Sequence, residues 1–322
     1  LWARTAGRTY TELMFDKLAE LDASQTSIGD AGYHPRLASS WTWSKDSLSI
    51  AFHLDRRARW HDGRLVFSDM HAKRVHALTA DGTLSTLFEF DDQPAGLGWD
   101  PEGRMLWVAM TTRQLRRVEP DGSITLVADL HDLASFHCND MVVTAQGGAY
   151  IGNFGFDLDG GGQPCFTNLV YVAPDGTPRE VAADLGFPNG MVILPGDTTL
   201  VVGESWKGRL TAFDIAPDGS LSNQRVWAQM DGAVPDGICL DAEGAIWSAC
   251  PLSGRVLRYA EGGEVLQEID CGRPAYACML GGDDGHTLFV CTAETSHPSE
   301  TVQKMTGAIE AVRVDVPHAG RP

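Results

Sequence analysis

The chain has 322 residues, 43% of them apolar and 21% charged, enough to build a sizeable core and too hydrophobic to be broadly disordered. Its 25 basic and 43 acidic residues give a net charge of -18 at neutral pH, so most of the surface repels a phosphate backbone and nucleic acid is not expected as a partner. No run of about 18 apolar residues occurs, so no membrane span is expected.

The first residues, Leu1-Trp2-Ala3-Arg4-Thr5, carry neither an initiator Met nor a basic region followed by an apolar stretch, and read as the interior of a longer sequence. Residues 10–21 place Leu13, Phe15, Leu18, Ala19 and Leu21 among acids and a Lys, a pattern compatible with one amphipathic helix. Residues 47–54 alternate Leu48, Ile50, Phe52 and Leu54 with polar neighbours, which predicts a strand.

From about residue 59 one pattern recurs every 35 to 50 residues, roughly the period of a propeller blade. Each unit opens on a small or polar junction and continues through short apolar strands joined by turns containing Asp, Gly or Pro. Unit one runs from Trp60-His61-Asp62-Gly63 through strands at 65–69 and 74–78 to the Asp81-Gly82 turn. Unit two has strands at 105–109 and 115–118 before Asp121-Gly122, and unit three has strands at 139–143, 149–153 and 169–172 before Asp175-Gly176. Unit four has strands at 189–193, 199–202 and 209–213 before Asp218-Gly219. Unit five has them at 236–240, 245–248 and 256–259, and unit six at 275–279, 287–290 and 309–314. Six such units without helical periodicity between them specify an all-β, six-bladed β-propeller over residues 59–317, with an atypical N-terminal extension over residues 1–58. The strand at 47–54 is available to pair with 309–314 and close the ring.

Seven Cys, an odd number with no Cys-x-x-Cys pair, argue against a disulfide framework or a thiolate zinc site. They read as buried small hydrophobes in a reducing, cytoplasmic setting. The ten His include no His-x-x-x-His pair, the Gly160-Gly161-Gly162 run lacks the context of a phosphate loop, and no Gly-x-Ser-x-Gly elbow occurs.

Asn139, Asn189 and Asp236 open the first strand of units three, four and five. In a propeller the first strands line the central channel, so equivalent positions converge on one of its ends. Two amide oxygens and a carboxylate suit a hard divalent cation such as Ca²⁺, Mg²⁺ or Mn²⁺, with Zn²⁺ tolerated. Asn and Asp before Gly are also ordinary turn formers, and each residue singly fits that account as well. His137, beside Asn139, is a candidate for substrate contact.

From Trp60 onward the chain resembles the senescence marker protein/gluconolactonase family, which includes regucalcin. The resemblance rests on Arg59-Trp60-His61-Asp62-Gly63-Arg64-Leu65, Asn139-Asp140-Met141, Phe187-Pro188-Asn189-Gly190, Pro235-Asp236-Gly237-Ile238-Cys239-Leu240-Asp241 and Gly307-Ala308-Ile309-Glu310-Ala311-Val312. It implies a metal held by a first-blade Glu, Asn189 and Asp236, with Asn139 and Asp157 contacting substrate. The family's Glu falls at Arg56, which would put a cation where an anionic ligand belongs and weaken metal binding. Residues 1–63 resemble a different family, the solute-binding proteins of peptide transporters, on Tyr10-Thr11-Glu12-Leu13-Met14-Phe15-Asp16-Lys17-Leu18, Pro35-Arg36-Leu37-Ala38-Ser39-Ser40-Trp41-Thr42-Trp43 and Ile50-Ala51-Phe52-His53-Leu54. The two resemblances meet at Trp60 to Gly63, as in a fused chain.

The function these readings imply is metal-dependent hydrolysis of a sugar lactone or similar small cyclic ester, with Asp236 accepting a proton from the attacking water. The alternative, from another class, is a catalytically impaired propeller that binds a small ligand or a protein partner; no residue pattern points to a particular protein partner.

Overall fold

The computed structural model describes residues 64–320 throughout and, of the preceding segment, the backbone of four strands. The chain divides into two compact units, Leu1–Gly63 and Arg64–Pro322.

In the first unit β1 (Ala19–Leu21) pairs antiparallel with β2 (Tyr33–Pro35), and β3 (Ala38–Trp43) with β4 (Ile50–Leu54). Two expectations are corrected here. The end of the helix expected over residues 10–21 is strand β1, while residues 10–18 lie outside the described residues. The strand expected near 47–54 forms at β4, but it pairs with β3 rather than with the strand at 309–314. A short hairpin loop costs far less chain entropy to close than a connection spanning the length of the propeller.

The second unit holds six antiparallel sheets, the blades of a β-propeller. Blade 1 contains β5 (Leu65–Asp69), β6 (Arg74–Leu78) and β7 (Leu84–Glu89). Blade 2 contains β8 (Pro94–Trp99), β9 (Met105–Ala109), β10 (Gln114–Val118) and β11 (Ile124–Asp129). Blade 3 is β12 (Cys138–Val143), β13 (Ala149–Asn153), β14 (Thr167–Val172) and β15 (Pro178–Leu185). Blade 4 is β16 (Pro188–Ile193), β17 (Thr199–Glu204), β18 (Arg209–Ile215) and β19 (Leu221–Gln229). Blade 5 is β20 (Ile238–Leu240), β21 (Ile246–Cys250), β22 (Arg255–Tyr259) and β23 (Val265–Asp270). Blade 6 is β24 (Ala275–Gly281), β25 (Thr287–Thr292) and β26 (Ala308–Arg313), with the helix α1 (Pro298–Lys304) between the last two.

Position within a blade dictates the sequence pattern. The second strands β9, β13 and β21 are buried along their whole length, because each blade has a neighbour on both faces. They therefore read as unbroken runs of apolar and small residues rather than as alternating ones. The outer strand β23 instead alternates exposed and half-buried positions over most of its length. The core lies between blades: Tyr150, Leu169 and Tyr171 of blade 3 meet Leu200, Val202 and Phe213 of blade 4. Trp107 and Trp247 are fully buried in such layers, where truncation to Ala would cost about 3–5 kcal/mol.

The outer hairpins share one turn chemistry. Asp121 Oδ1 accepts the Ser123 N–H at 2.9 Å, and Asp175 and Asp218 accept from Thr177 and Ser220 in the same way. The intervening Gly122 sits at φ +83°, a conformation that costs Gly nothing.

All seven Cys are free thiols. Cys138, Cys239, Cys250 and Cys278 are buried, as expected of small hydrophobes, but Cys165 is exposed, on the loop between β13 and β14.

The strands β8, β12, β16, β20 and β24 are the innermost of their blades, and each packs against the next around the channel. Their first residues position the site.

Candidate active site at the channel mouth

Among the described residues the inner strands β8, β12, β16 and β24 are interrupted at the same place, and β20 just before its first residue. In β12 Cys138 pairs with Asn153 and Met141 with Ile151, so that Asn139 and Asp140 bulge opposite a single residue. In β16 Pro188 pairs with Glu204 and Met191 with Val202, which leaves Asn189 and Gly190 in the bulge. Ala95 and Gly96 do the same in β8. Ahead of β20 the Asp236 N–H donates to the Ala249 carbonyl at 2.9 Å, and the Ala249 N–H returns a bond to the Gly237 carbonyl at 3.0 Å. A bulge re-aims side chains out of the sheet alternation, and here it does so blade by blade around one ring.

Adjacent bulges are bonded to each other. The Gly190 N–H donates to the Asp236 carbonyl at 3.1 Å, and the Gly237 N–H to the Tyr276 carbonyl at 2.9 Å. The strands come so close that a Cβ on Gly190 would lie 2.5 Å from the Ile238 nitrogen, and one on Gly237 2.8 Å from the Ala277 Cα. The first bulge position therefore carries the chemistry, as Ala95, Asn139, Asn189, Asp236 and Tyr276. The second is Gly96, Gly190, Gly237 or Ala277, except in blade 3, where it is Asp140.

The side chains at the mouth are tied together. Asn139 Nδ2 donates to Asn189 Oδ1 at 3.0 Å, Asn189 Nδ2 to Ser205 Oγ at 3.2 Å, and Ser205 Oγ to the Pro235 carbonyl at 2.7 Å. Both Asn side chains are buried. Burial pushes the Asp140 carboxyl up to about 6. Asp236 is held well above the usual carboxylate range, by burial first and by the Asp140 charge second, against bonds from the Asn189 side chain and the Gly237 N–H. The His137 ring stacks on Phe136 at 4.2 Å, and burial lowers its pKa against the pull of Asp157, Asp92 and Asp159. Asp157 itself is exposed on the β13–β14 loop, where its Oδ1 accepts the Gly160 N–H at 2.8 Å. Thus Asn139, Asn189 and Asp236 come together, His137 lies beside them, and Asp157 stands in the loop near His137. Arg56 lies outside the described residues.

Asp140, Ser205 and Tyr276 were not among the residues expected at the site. Asp140 had a signal in the sequence: it puts a carboxylate where the other units have Gly or Ala. Tyr276 occupies the ring position of unit six, although Tyr is not an oxygen-rich cation ligand. Ser205 had no signal, because only the fold brings the start of the turn after β17 against Asn189.

Oxygen donors of this kind suit a hard divalent cation. Asn189 and Asp236 are the residues that could hold one, with Asp140 adding a second negative charge. Among the described residues no three His, Cys, Asp or Glu side chains gather closely enough to hold a metal ion by themselves. A cleft of about 570 Å³ opens over the mouth, between Leu158, Asp159 and Gly161 of the β13–β14 loop and Tyr276, Ser296 and His297 of blade 6.

A family model described as "SMP-30/Gluconolactonase/LRE-like region" matches residues 57–294. The chain belongs to this family. A 6-deoxy-6-sulfogluconolactonase from Pseudomonas putida is 26% identical over 266 residues, covering 80% of this chain and 89% of its own length. A solved gluconolactonase from Xanthomonas campestris superposes with a TM-score of 0.60 at 26% identity, over 71% of this chain and 79% of that one. A calcium-binding regucalcin from Agrobacterium tumefaciens has a TM-score of 0.68 at 21% identity over 81% and 89%, a likeness of fold. The gluconolactonase from Xanthomonas campestris thus shares this chain's fold over most of its length.

Proposed function

We propose that this chain hydrolyses a sugar lactone or similar small cyclic ester with the help of a divalent cation. The observation that carries the reading is the convergence of Asn139, Asn189 and Asp236, with Asp140, at one end of the channel in a chain whose relatives are named lactonases. Asn189 and Asp236 would hold the cation, which when bound supplies a Lewis acid for the ester carbonyl. Asn139 positions Asn189 through the hydrogen bond from its amide nitrogen and presents its own amide oxygen to substrate. Asp236 takes the proton from the attacking water. His137 and Asp157, on the blade 3 side, contact the bound ring. The odd count of free thiols, most of them buried, supports a reducing, cytoplasmic setting.

A second reading, a propeller that binds a ligand without turning it over, is favoured by one feature: the Asn189 amide oxygen is engaged by Asn139. Titration with Ca²⁺, Mg²⁺, Mn²⁺ and Zn²⁺ against a lactone panel separates the two. Cation-dependent ring opening that is lost in Asp236→Asn while the fold is retained supports the lactonase. Ligand binding without turnover under every cation supports the second reading.

A further inference from the structure

One wall of the mouth is aromatic. Phe154, at the end of blade 3's second strand, stacks on Phe187 at 4.8 Å, and Phe187 meets Trp206 edge-on at 6.2 Å. Phe156 lies 5.8 Å from Trp206. The inner rings are buried, whereas Trp206 is 50% exposed and Leu158 and Phe166 of the adjoining loop are 41% and 62% exposed. Lys207 covers the Phe166 ring at 4.8 Å.

This wall is continuous with the site. Trp206 follows Ser205, whose hydroxyl accepts from Asn189. Phe187 stands two residues before Asn189 and is held at φ +58°, a conformation that bulky residues rarely adopt. Such strain persists where the surroundings over-determine it, and here it places an aromatic ring and the site amide from one turn. Leu158 carries the wall to the edge of the cleft, whose other side chains, Asp159, Tyr276, Glu294, Thr295, Ser296 and His297, are polar. Beside these hydrogen-bonding groups Leu158 and Trp206 offer exposed apolar surface, which an alkyl or aryl group covers and a hydroxyl group does not.

We propose that Trp206, backed by Phe156 and Phe187 and extended by Leu158, binds an apolar or aryl substituent on the lactone, so that the preferred substrate is an alkyl- or aryl-substituted lactone rather than a sugar lactone. This rests on the lactonase reading. Trp206 is the specificity-determining residue, since it contacts the substituent and not the ester.

The test compares unsubstituted γ-butyrolactone, its γ-phenyl derivative and δ-gluconolactone as substrates of wild type, Trp206→Ala and Trp206→Phe. The expected result is a wild-type kcat/KM highest for the phenyl lactone, with the phenyl-to-unsubstituted ratio falling at least about tenfold in Trp206→Ala and largely restored in Trp206→Phe. A wild type that favours δ-gluconolactone, or a Trp206→Ala loss equal for all three, overturns the proposal and leaves the lactonase reading standing. If wild type opens none of them the lactonase reading fails, and calorimetry then decides the wall on its own. Binding of the phenyl lactone that is lost in Trp206→Ala supports the wall, and no binding or unchanged binding overturns it. A change of oligomeric state in Trp206→Ala with an unchanged substrate ratio also overturns it, and makes the rim a contact between copies.

Discussion

Asn139 Nδ2 donates to Asn189 Oδ1 at 3.0 Å, joining the inner bulges of blades 3 and 4. Both residues are buried, so the bond sets the direction of the Asn189 amide and leaves its nitrogen to Ser205. Asn139→Ala should strand a buried amide oxygen and lower stability by about 1–3 kcal/mol. Lactone turnover should fall with it, since Asn189 loses its orientation. Urea unfolding followed by intrinsic fluorescence checks the first effect, and an unshifted midpoint would show that the bond contributes nothing.

Asp140 and Asp236 oppose one another in the channel. Asp140→Asn removes one of two like charges from the channel mouth. At pH 8 in excess chelator the variant should be more stable than wild type by on the order of 1 kcal/mol. With Ca²⁺ or Mn²⁺ added, the order should reverse, because wild type keeps the second anion. Thermal melts with and without cation measure both, and wild type remaining the less stable protein at saturating cation would refute a shared cation site.

Glu204 is fully buried yet ionised. Burial would raise its pKa, but the Thr211 hydroxyl, the Gly186 N–H, Lys207 and Arg209 together bring it below the usual value of 4.5. A carboxylate depressed in the folded state contributes stability that is present above 4.5 and is lost as the pH falls through its lower, folded value. Glu204→Gln should cost about 3–5 kcal/mol at pH 7, because Lys207 and Arg209, at 2.9 and 2.8 Å, lose their counter-charge. The gap between variant and wild type should narrow below pH 4.5. An equal gap at pH 7 and pH 3 would assign the loss to packing instead.

Gly190 tests the inner ring sterically. Its added Cβ would meet the backbone of Asp236, Gly237 and Ile238, none of which can swing aside like a flexible side chain. Gly190→Ala should therefore destabilise by about 1–3 kcal/mol and displace Asn189, with loss of turnover. Gly232→Ala finds no atom within 4 Å, yet sits at φ +77°. It should lose stability through backbone strain alone while keeping activity. Turnover that survives in Gly190→Ala would mean that inner-strand spacing does not position the site.

The propeller was legible in the sequence because its blades are local. Each is a meander of neighbouring strands with short Asp-Gly turns, so strand pattern and turn chemistry recur together every 35 to 50 residues of chain, as in other repeat folds. The same repetition identified Asn139, Asn189 and Asp236 as one set, since equivalent positions in a ring share a location whatever the details of packing. What depends on contact across blades was decided only by the tertiary structure. The weight of Asp140 comes from how closely the inner strands approach, the hydrogen bond from Asn139 reaches across 50 residues to Asn189, and the aromatic wall assembles from the β13–β14 loop, the turn before β16 and the turn after β17. The partner of β4 was misjudged for the same reason: alternation announces a strand, but β3 or a strand some 260 residues away satisfies it equally until loop entropy and packing choose between them.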